Sequence, residues 1–374
     1  MLFMASEILH VPAVARQFPT SAPAGALGHW LDHVEWVGAV PWDLIQPAFM
    51  FMVGVSLPFS VASRRARGHT FGQLFGHAVF RAAVLIALGI FLRSQDRAQT
   101  YFTFEDVLTQ IGLGYVFLFL LAWTRPRAQA AAAALILVGY WGAFALHPLP
   151  PPGFDTRTVG VPANWPHQLT GFAAHWNKNT NLAHEVDVWF LNLFPRESPF
   201  LYNTGGYLTL NFVPSLATMI FGLLAGGLLR STAPGPAKAR TLAVWGIVGV
   251  LAGLGLHVLG VCPLVKRIWT PSWAVFSAGW SVLFLAGYYY VIDLKGSRRW
   301  TLPFVVVGMN SIAMYVLVHI ATEYVMEAFV IHAGTAPFGV FGEAFAPVLL
   351  GAAALAVFWL IISWMYRNRV FVRI

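Results

Sequence analysis

The sequence predicts an all-α fold, a polytopic transmembrane helix bundle of about ten spans with one long extracytoplasmic loop at residues 148–206. Three observations predict it. Of 374 residues, 58% are hydrophobic and 10% are charged, whereas a soluble domain carries about 25% charged residues. Apolar runs of span length recur along the chain, and about 20 such residues, coiled so that each backbone polar group bonds within its own segment, cross a hydrocarbon core. The basic residues gather in alternate connections between those runs.

The runs lie near residues 43–62, 77–93, 105–123, 130–147, 207–229, 241–261, 273–292, 303–321 and 344–366. A shorter run, Met1 to about Arg16, precedes them. It has neither a charged leading region nor a small-residue cleavage site, so it reads as part of a helix rather than a signal peptide. Arg64, Arg65, Arg67, Arg125, Arg127, Arg230, Lys238, Arg240, Lys295, Arg298, Arg299, Arg367, Arg369 and Arg373 fall in alternate connections or at the C-terminus. The positive-inside rule makes that side cytoplasmic, the C-terminus included. It holds 14 of the 23 basic residues, while Asp293 is its one member of the 15 acidic residues.

The opposite side receives residues 17–42, the 148–206 loop, the turn from Cys262 to Ser272 and a segment from Thr322 to Glu343. Six of the 12 histidines and nine of the 15 carboxylates lie there. A transporter usually places its polar groups near the midplane of broken helices; here they collect at one rim. Trp165, Phe172, Trp176, Trp189 and Phe190 within the long loop argue against disorder. The net charge of +8 is spread between spans rather than along a basic domain, which gives no support to nucleic-acid binding. The single cysteine, Cys262, excludes an intramolecular disulfide framework. Phosphate loops, dinucleotide fingerprints and a G-x-S-x-G nucleophile elbow are absent from the sequence.

The segment most informative about chemistry runs from His33 through Glu35 and Trp36 to Asp43. Imidazole titrates near neutrality and can take a proton from an amine or hydroxyl as that group attacks an acyl carbon. A neighbouring carboxylate can orient the ring and stabilise its cation. His33 with Asp43, or with Glu35, fits those roles, although Asp43 also stands where a carboxylate caps a helix. A second cluster, His167 and His175-Trp-Asn-Lys-Asn-Thr-Asn-Leu-Ala-His184-Glu-Val-Asp187, lies in the long loop. Its amides, lysine and rings suit sugar recognition, so Trp36, His175, Asn177, Lys178 and His184 are the candidate substrate-binding residues. The same residues also suit a folded lid whose Asn and Asp side chains cap turns. With no compact His pair or Cys ligand, no metal site is expected. Arg81, Gln110, Asn310 and His319 fall inside predicted spans, where polar groups are expensive and face a bundle interior or cavity.

The pattern H-x-x-W-x-G-x(4)-D-L-x-x-P-x-F-x-F-x-x-G, filled by His33, Trp36, Gly38, Asp43, Leu44, Pro47, Phe49, Phe51 and Gly54, resembles the start of the second core helix in the heparan-α-glucosaminide N-acetyltransferase family and its bacterial homologues. Similarity continues through Val107-Leu-Thr-Gln-Ile-Gly-Leu-Gly-Tyr115, Gly222-Leu-Leu-Ala-Gly226, Lys266-Arg-Ile-Trp-Thr-Pro-Ser272 and Gly308-Met-Asn-Ser-Ile-Ala-Met-Tyr315. The resemblance implies one transmembrane acyltransferase domain over residues 1–374 in a bacterial inner membrane. It also implies acetyl-CoA as co-substrate, an amino-sugar or other glycan acceptor on the extracytoplasmic side, and His33 as the catalytic residue. General base and acetyl-histidine roles stay open, as do N- and O-acetylation. Lys266 and Asn310 lie in family-like motifs and, with Gln110 and Arg81, are the candidate acetyl-CoA contacts; a homodimer is compatible with all of this. The family's first helix usually opens with a stretch like S-L-D-x-x-R-G, so the resemblance implies that Met1 falls part-way into that helix. The competing class is a carrier or flippase for a lipid-linked sugar or metabolite, which would release no free CoA.

The charge asymmetry fixes an orientation that labelling can read. In intact cells Ser297→Cys is expected to resist an impermeant thiol reagent and Thr180→Cys to react; the opposite pattern would invert the assignment.

Overall fold

In a computed structural model the chain is described over residues 8–18 and 21–372. Among these residues the secondary structure is helical, apart from one isolated antiparallel bridge between Val37 and Val265. Among the described residues eight helices, some extended at one end by a short 3-10 or π segment, are long and apolar enough to cross a membrane. We label the α-helices in chain order: α1 Val11–Ala15, α2 Ala22–Trp30, α3 Ile45–Ala66, α4 Phe71–Arg93, α5 Val107–Leu121, α6 Pro126–Leu146, α7 Leu182–Leu191, α8 Phe212–Arg230, α9 Gly235–Val258, α10 Pro271–Tyr288, α11 Leu302–Met309, α12 Ser311–Ala333 and α13 Ala346–Arg367. The expected all-α polytopic bundle is what these elements form. The helix α5, with 15 residues, is apolar but shorter than a full span.

Two predicted boundaries move. The run at 303–321 breaks at Asn310, whose backbone leaves the helical region at φ −130 and ψ 39. Its side chain works away from the helix, with Nδ2 donating to the Val370 carbonyl at 3.0 Å and Oδ1 accepting from the Val372 amide at 3.0 Å. The helix α12 then continues past Glu323 and Glu327 to Ala333 and stops at Gly334, where φ is 72. The predicted run stops at 321; the helix ends instead at a glycine, whose positive φ carries no steric cost. The first apolar run is the other difference. Residues 1–7 lie outside the described residues; the five-residue α1 comes next, and α2 begins where Ser21 Oγ accepts the Ala24 amide.

The chain divides into two compact units. The first holds the residues up to His33, Val40–Ile45 and everything from Gly296 onward. Its apolar centre joins Ile8 to Val306, Val307, Met314, Ala354, Phe358 and Ile362. The second holds Val34–Ala39 and Gln46–Lys295. The helix α8 is its centre and the most buried of its spans.

Close backbone approach builds this second unit. A Cβ on Gly54 of α3 would stand 1.9 Å from the Met219 carbonyl of α8, and one on Gly222 would stand 2.0 Å from the Phe51 carbonyl. The pair α9 and α10 repeats the device at Gly253 and Gly279, where an added Cβ would meet the backbone nitrogens of Phe276 and Val250 at 2.5 Å. In lipid, burying apolar side chains between helices brings little hydrophobic gain, so dispersion at short range must hold them together, and only small residues allow it. Helix starts are secured by side chains: Thr70 and Gln73 form a reciprocal capping box on α4, and Asp106 Oδ1 accepts the Leu108 and Thr109 amides of α5.

The long connection between α6 and α8 is folded. Trp176, Ala183 and Leu208 from it are buried with Trp36, Tyr140, Phe144, Cys262, Val265 and Ile268 in one apolar cluster. Burial raises the Cys262 thiol above its ordinary range, leaving it a packed neutral group.

Candidate active site

Val40 is extended at φ −123 and ψ 163, and Pro41 then fixes the first turn of a short 3-10 helix, Pro41–Leu44, that runs into α3. This turn carries Asp43 inward until none of its surface is exposed. A buried carboxylate is costly unless its oxygens are bonded. Oδ2 accepts the Val40 amide at 3.4 Å, and Oδ1 lies 2.7 Å from Nδ1 of His33. The His33 side chain keeps 36% of its surface exposed, so the pair has one buried and one accessible member.

The second imidazole nitrogen is also engaged. The indole Nε1 of Trp42 donates to His33 Nε2 at 3.2 Å. An indole N–H can only donate, and an ionised carboxylate can only accept. One neutral tautomer satisfies both contacts: Nδ1–H donates to Asp43 while Nε2 presents its lone pair to Trp42. The ring is therefore held with its basic nitrogen facing away from the carboxylate, the arrangement of a histidine base with its orienting acid. Sequence reasoning passed over Trp42; the signal was an indole beside the orienting aspartate, at the end of a histidine-bearing loop. His33, Trp42 and Asp43 all belong to the first unit.

Glu35 has another partner. Its Oε2 lies 3.1 Å from His167 Nε2, with the glutamate side chain 66% exposed. The carboxylate that meets His33 is Asp43, and Glu35 joins the loop histidine instead.

The loop residues read as sugar contacts are largely structural. Trp36 has no exposed surface; its indole donates to the Trp176 carbonyl at 3.0 Å and its ring meets Trp165 edge-on. Asn177 clamps both the amide and the carbonyl of Leu169 at 2.8 and 2.9 Å. Asn179 holds the Val159 and Asn203 carbonyls, and Asn181 caps α7 through the His184 amide. Of the expected set, Lys178 is half-buried with its Nζ over the Trp165 ring at 5.5 Å. Burial and then the Arg267 charge lower its pKa, against an opposing effect of Glu35. His175 packs edge-on against Phe172 and Trp176. His184 is buried and pushed down to about 4, chiefly by that burial, so it stays neutral at physiological pH.

The candidate acetyl-CoA residues belong to both units. Asn310 clamps the C-terminal segment of the first unit. Within the second unit, Gln110 Nε2 donates to the Phe104 and Thr209 carbonyls at 2.6 and 3.1 Å. Arg81 donates to the Tyr115 hydroxyl at 3.3 Å and lies over the same ring at 4.7 Å. Lys266 is buried in the turn before α10. That turn is strained: Trp269 has φ 47, a region bulky side chains avoid at a cost of order 1–3 kcal/mol. It is held by the Trp269 amide on the Lys266 carbonyl, the Thr270 amide on Val265 and the Trp269 indole on Thr218. Among the described residues no group of three His, Cys, Asp or Glu side chains converges as a metal site.

One polar cluster was not legible in the sequence. Glu105, just before α5, accepts from the Asn203 amide, and Asp187 of α7 accepts the Thr209 amide at 2.9 Å. Burial is the main cause in both, raising Glu105 to about 7 and Asp187 to about 6. Arg93 and Arg196 oppose the shift at Glu105, while Asp106 and Asp187 add to it.

Fold and site together define a polytopic α-helical membrane protein with a carboxylate-oriented histidine at the start of one span. Two curated proteins are similar to it. Heparan-alpha-glucosaminide N-acetyltransferase of Homo sapiens is 26% identical over 332 residues, which are 77% of this chain and 48% of that protein. The Mus musculus protein of the same name is 24% identical over 324 residues, 77% of this chain and 49% of its own length. The chain thus spans about half the length of the curated relatives it matches, and the matches support a distant family relationship. No family model matches the chain.

The Glu105 shift carries a pH signature. Between the ordinary glutamate range and about 7 the unfolded chain releases this proton while the folded chain keeps it. The slope of stability with pH follows the difference in bound protons, so this group costs stability as pH rises through that window. Glu105→Gln, which can still accept from Asn203, is expected to raise the apparent Tm in detergent by a few degrees at pH 8, with the gain vanishing by pH 4. An unchanged difference across that range would show that Glu105 ionises normally.

Proposed function

We propose that this protein moves an acetyl group from acetyl-CoA to the amine of a sugar acceptor on the extracytoplasmic side of the membrane, with His33 as general base. The observation that carries this reading is the His33–Asp43 pair, an accessible imidazole whose Nδ1 is 2.7 Å from a fully buried carboxylate. The names of the two relatives supply the reaction class, and the aligned lengths cover most of this chain.

The chemistry follows from the tautomer. The acceptor nitrogen attacks the thioester carbonyl carbon as its proton passes to Nε2 of His33. Asp43 stabilises the imidazolium through Nδ1–H. The C–S bond breaks, the imidazolium returns the proton to the leaving sulfur, and the products are an acetamide and free CoA. Nε2 has one lone pair, and the Trp42 indole occupies it in the resting site. The acceptor N–H must take the place of the indole, which makes Trp42 a gate on the base. A hydroxyl acceptor would take the same path.

If His33 is the base, His33→Ala is expected to insert normally and retain acetyl-CoA binding while acetyl transfer falls by at least ~100-fold, the lower range for loss of a general base. Radiolabelled acetyl transfer and equilibrium binding on the same purified protein read both quantities. Near-normal turnover would remove His33 from the mechanism.

A further inference from the structure

Two arginines of the second unit share one aromatic ring. Arg97 lies over Tyr101 at 4.8 Å and Arg196 over the same ring at 4.9 Å, with the Phe200 ring 5.4 Å from Arg196. Like charges gathered on one ring repel, and neither guanidinium forms an ion pair among the described residues. The carboxyls of Glu105 and Asp187 act on Arg196 only at longer range than an ion pair. An anion between the arginines would relieve this repulsion.

The pair stands at the membrane surface. The span α4 has 23 residues, about 34 Å at 1.5 Å per residue, against a hydrocarbon core about 30 Å thick. Its end at Arg93 therefore emerges at headgroup level, and Arg97 and Tyr101 follow closely in the chain. The helix α7 is held at the same level: Leu191 is buried with Phe104 and Phe200 in a cluster against which Ile86 and Ile90 of α4 pack. Trp189 and Leu193, one turn apart, stay outside that cluster and leave more than half of their surface exposed, as does Leu201. Apolar side chains exposed beside the last turns of a span meet acyl chains, and tryptophan, tyrosine and arginine are the residues that sit at the headgroups.

Between the turn after α4 and the segment after α7 is a cavity of about 290 Å³, lined by Arg97, Thr100, Tyr101, Arg196, Glu197 and Ser198, among others. This is just below the usual ligand clefts of about 300–1,000 Å³, which suits a polar headgroup whose acyl chains stay outside. Its walls are fixed from behind. The Tyr101 amide donates to Ser94 Oγ at 2.9 Å, Asn192 holds both backbone groups of Phe200 at 2.7 and 3.0 Å, and Arg196 donates to the Phe102 carbonyl at 2.8 Å. Two arginines and one carboxylate, Glu197, leave the wall one positive charge in excess. A phosphodiester carries one negative charge, and guanidinium forks match its oxygens. Thr100 and Ser198 add hydroxyls suited to a hydroxylated headgroup.

We propose that this cavity binds the headgroup of a phosphatidylglycerol-type phospholipid, with Arg97 and Arg196 on the phosphate and Trp189, Leu193 and Leu201 beside the acyl chains. The bound lipid ties α7 and the long connection to the bilayer surface. The site needs neither an acetyl donor nor a sugar.

The test is native mass spectrometry of the full chain, reconstituted in vesicles of equal parts phosphatidylglycerol and phosphatidylcholine and then released into detergent, reading which lipid stays bound. Phosphatidylglycerol is expected to be retained about tenfold or more over phosphatidylcholine, as one charge-assisted contact implies. Arg97→Gln and Arg196→Gln are each expected to remove most of that preference, Arg196→Lys to restore part of it, and Arg127→Gln, outside the cavity, to leave it unchanged. Arg97 is exposed, so its variant keeps the test meaningful if Arg196→Gln disturbs the fold. Equal retention of the two lipids, or an unchanged preference in Arg97→Gln, would overturn the proposal. An equal loss in Arg127→Gln would do so as well, because it would show diffuse attraction to a basic surface. Preferential retention of phosphatidylethanolamine over phosphatidylglycerol, in vesicles of those two lipids, would contradict the assigned headgroup.

Discussion

A carboxylate with no solvent exposure must be answered on every side, and among the groups that answer Asp43 are two that the chain brings to it from different distances. Three residues back, the Val40 amide reaches Oδ2; ten residues back, His33 reaches Oδ1. Removing water from an ion costs several kcal/mol even after relaxation, and only bonded partners offset it. The start of α3, the path of the loop before it and the orientation of the imidazole are therefore one arrangement. Pro41 sets the turn, the turn buries the acid, and the acid aims the imidazole. Trp42 completes it by holding the nitrogen that the acid leaves free to accept.

The bilayer imposes the second constraint. Its helices cannot rely on expelling water from one another, so the α3–α8 and α9–α10 crossings depend on glycines that let backbones touch. Away from the spans, polar groups must bond to protein where they are buried, and the long connection uses Asn177, Asn179, Asn181 and Asn192 for that purpose. The same side-chain chemistry that recognises sugars also ties loops. Here the second use consumes the amides.

Much of this was legible in the sequence, and for physical reasons. Span-length apolar runs are a strong signal because lipid leaves no alternative to intrasegment hydrogen bonds, and the segment from His33 to Asp43 offered both Asp43 and Glu35 as partners for His33, of which Asp43 is the one 2.7 Å from its ring. Three things were hidden. Asn310 looked like a polar residue inside a span, but its value lies in clamping Val370 and Val372, about 60 residues away in sequence, which no local pattern announces. Trp36 carried an aromatic signature shared by sugar platforms and cores, and burial decides for the core. The pairing of Glu35 with His167 and the clustering of Glu105 with Asp187 are products of tertiary folding, invisible to spacing. Strain at Trp269 likewise emerges only once the backbone is traced.

The central claim is that His33 and Asp43 act as one unit, and a double-mutant cycle on acetyl transfer tests it most directly. Groups that work as a unit are strongly non-additive, so once the base is gone its orienting acid has nothing left to contribute to the rate. With transfer rates measured for the parent chain, His33→Ala, Asp43→Asn and the double variant, the account predicts that the double variant is as slow as His33→Ala alone. Full multiplication of the two single losses would contradict it.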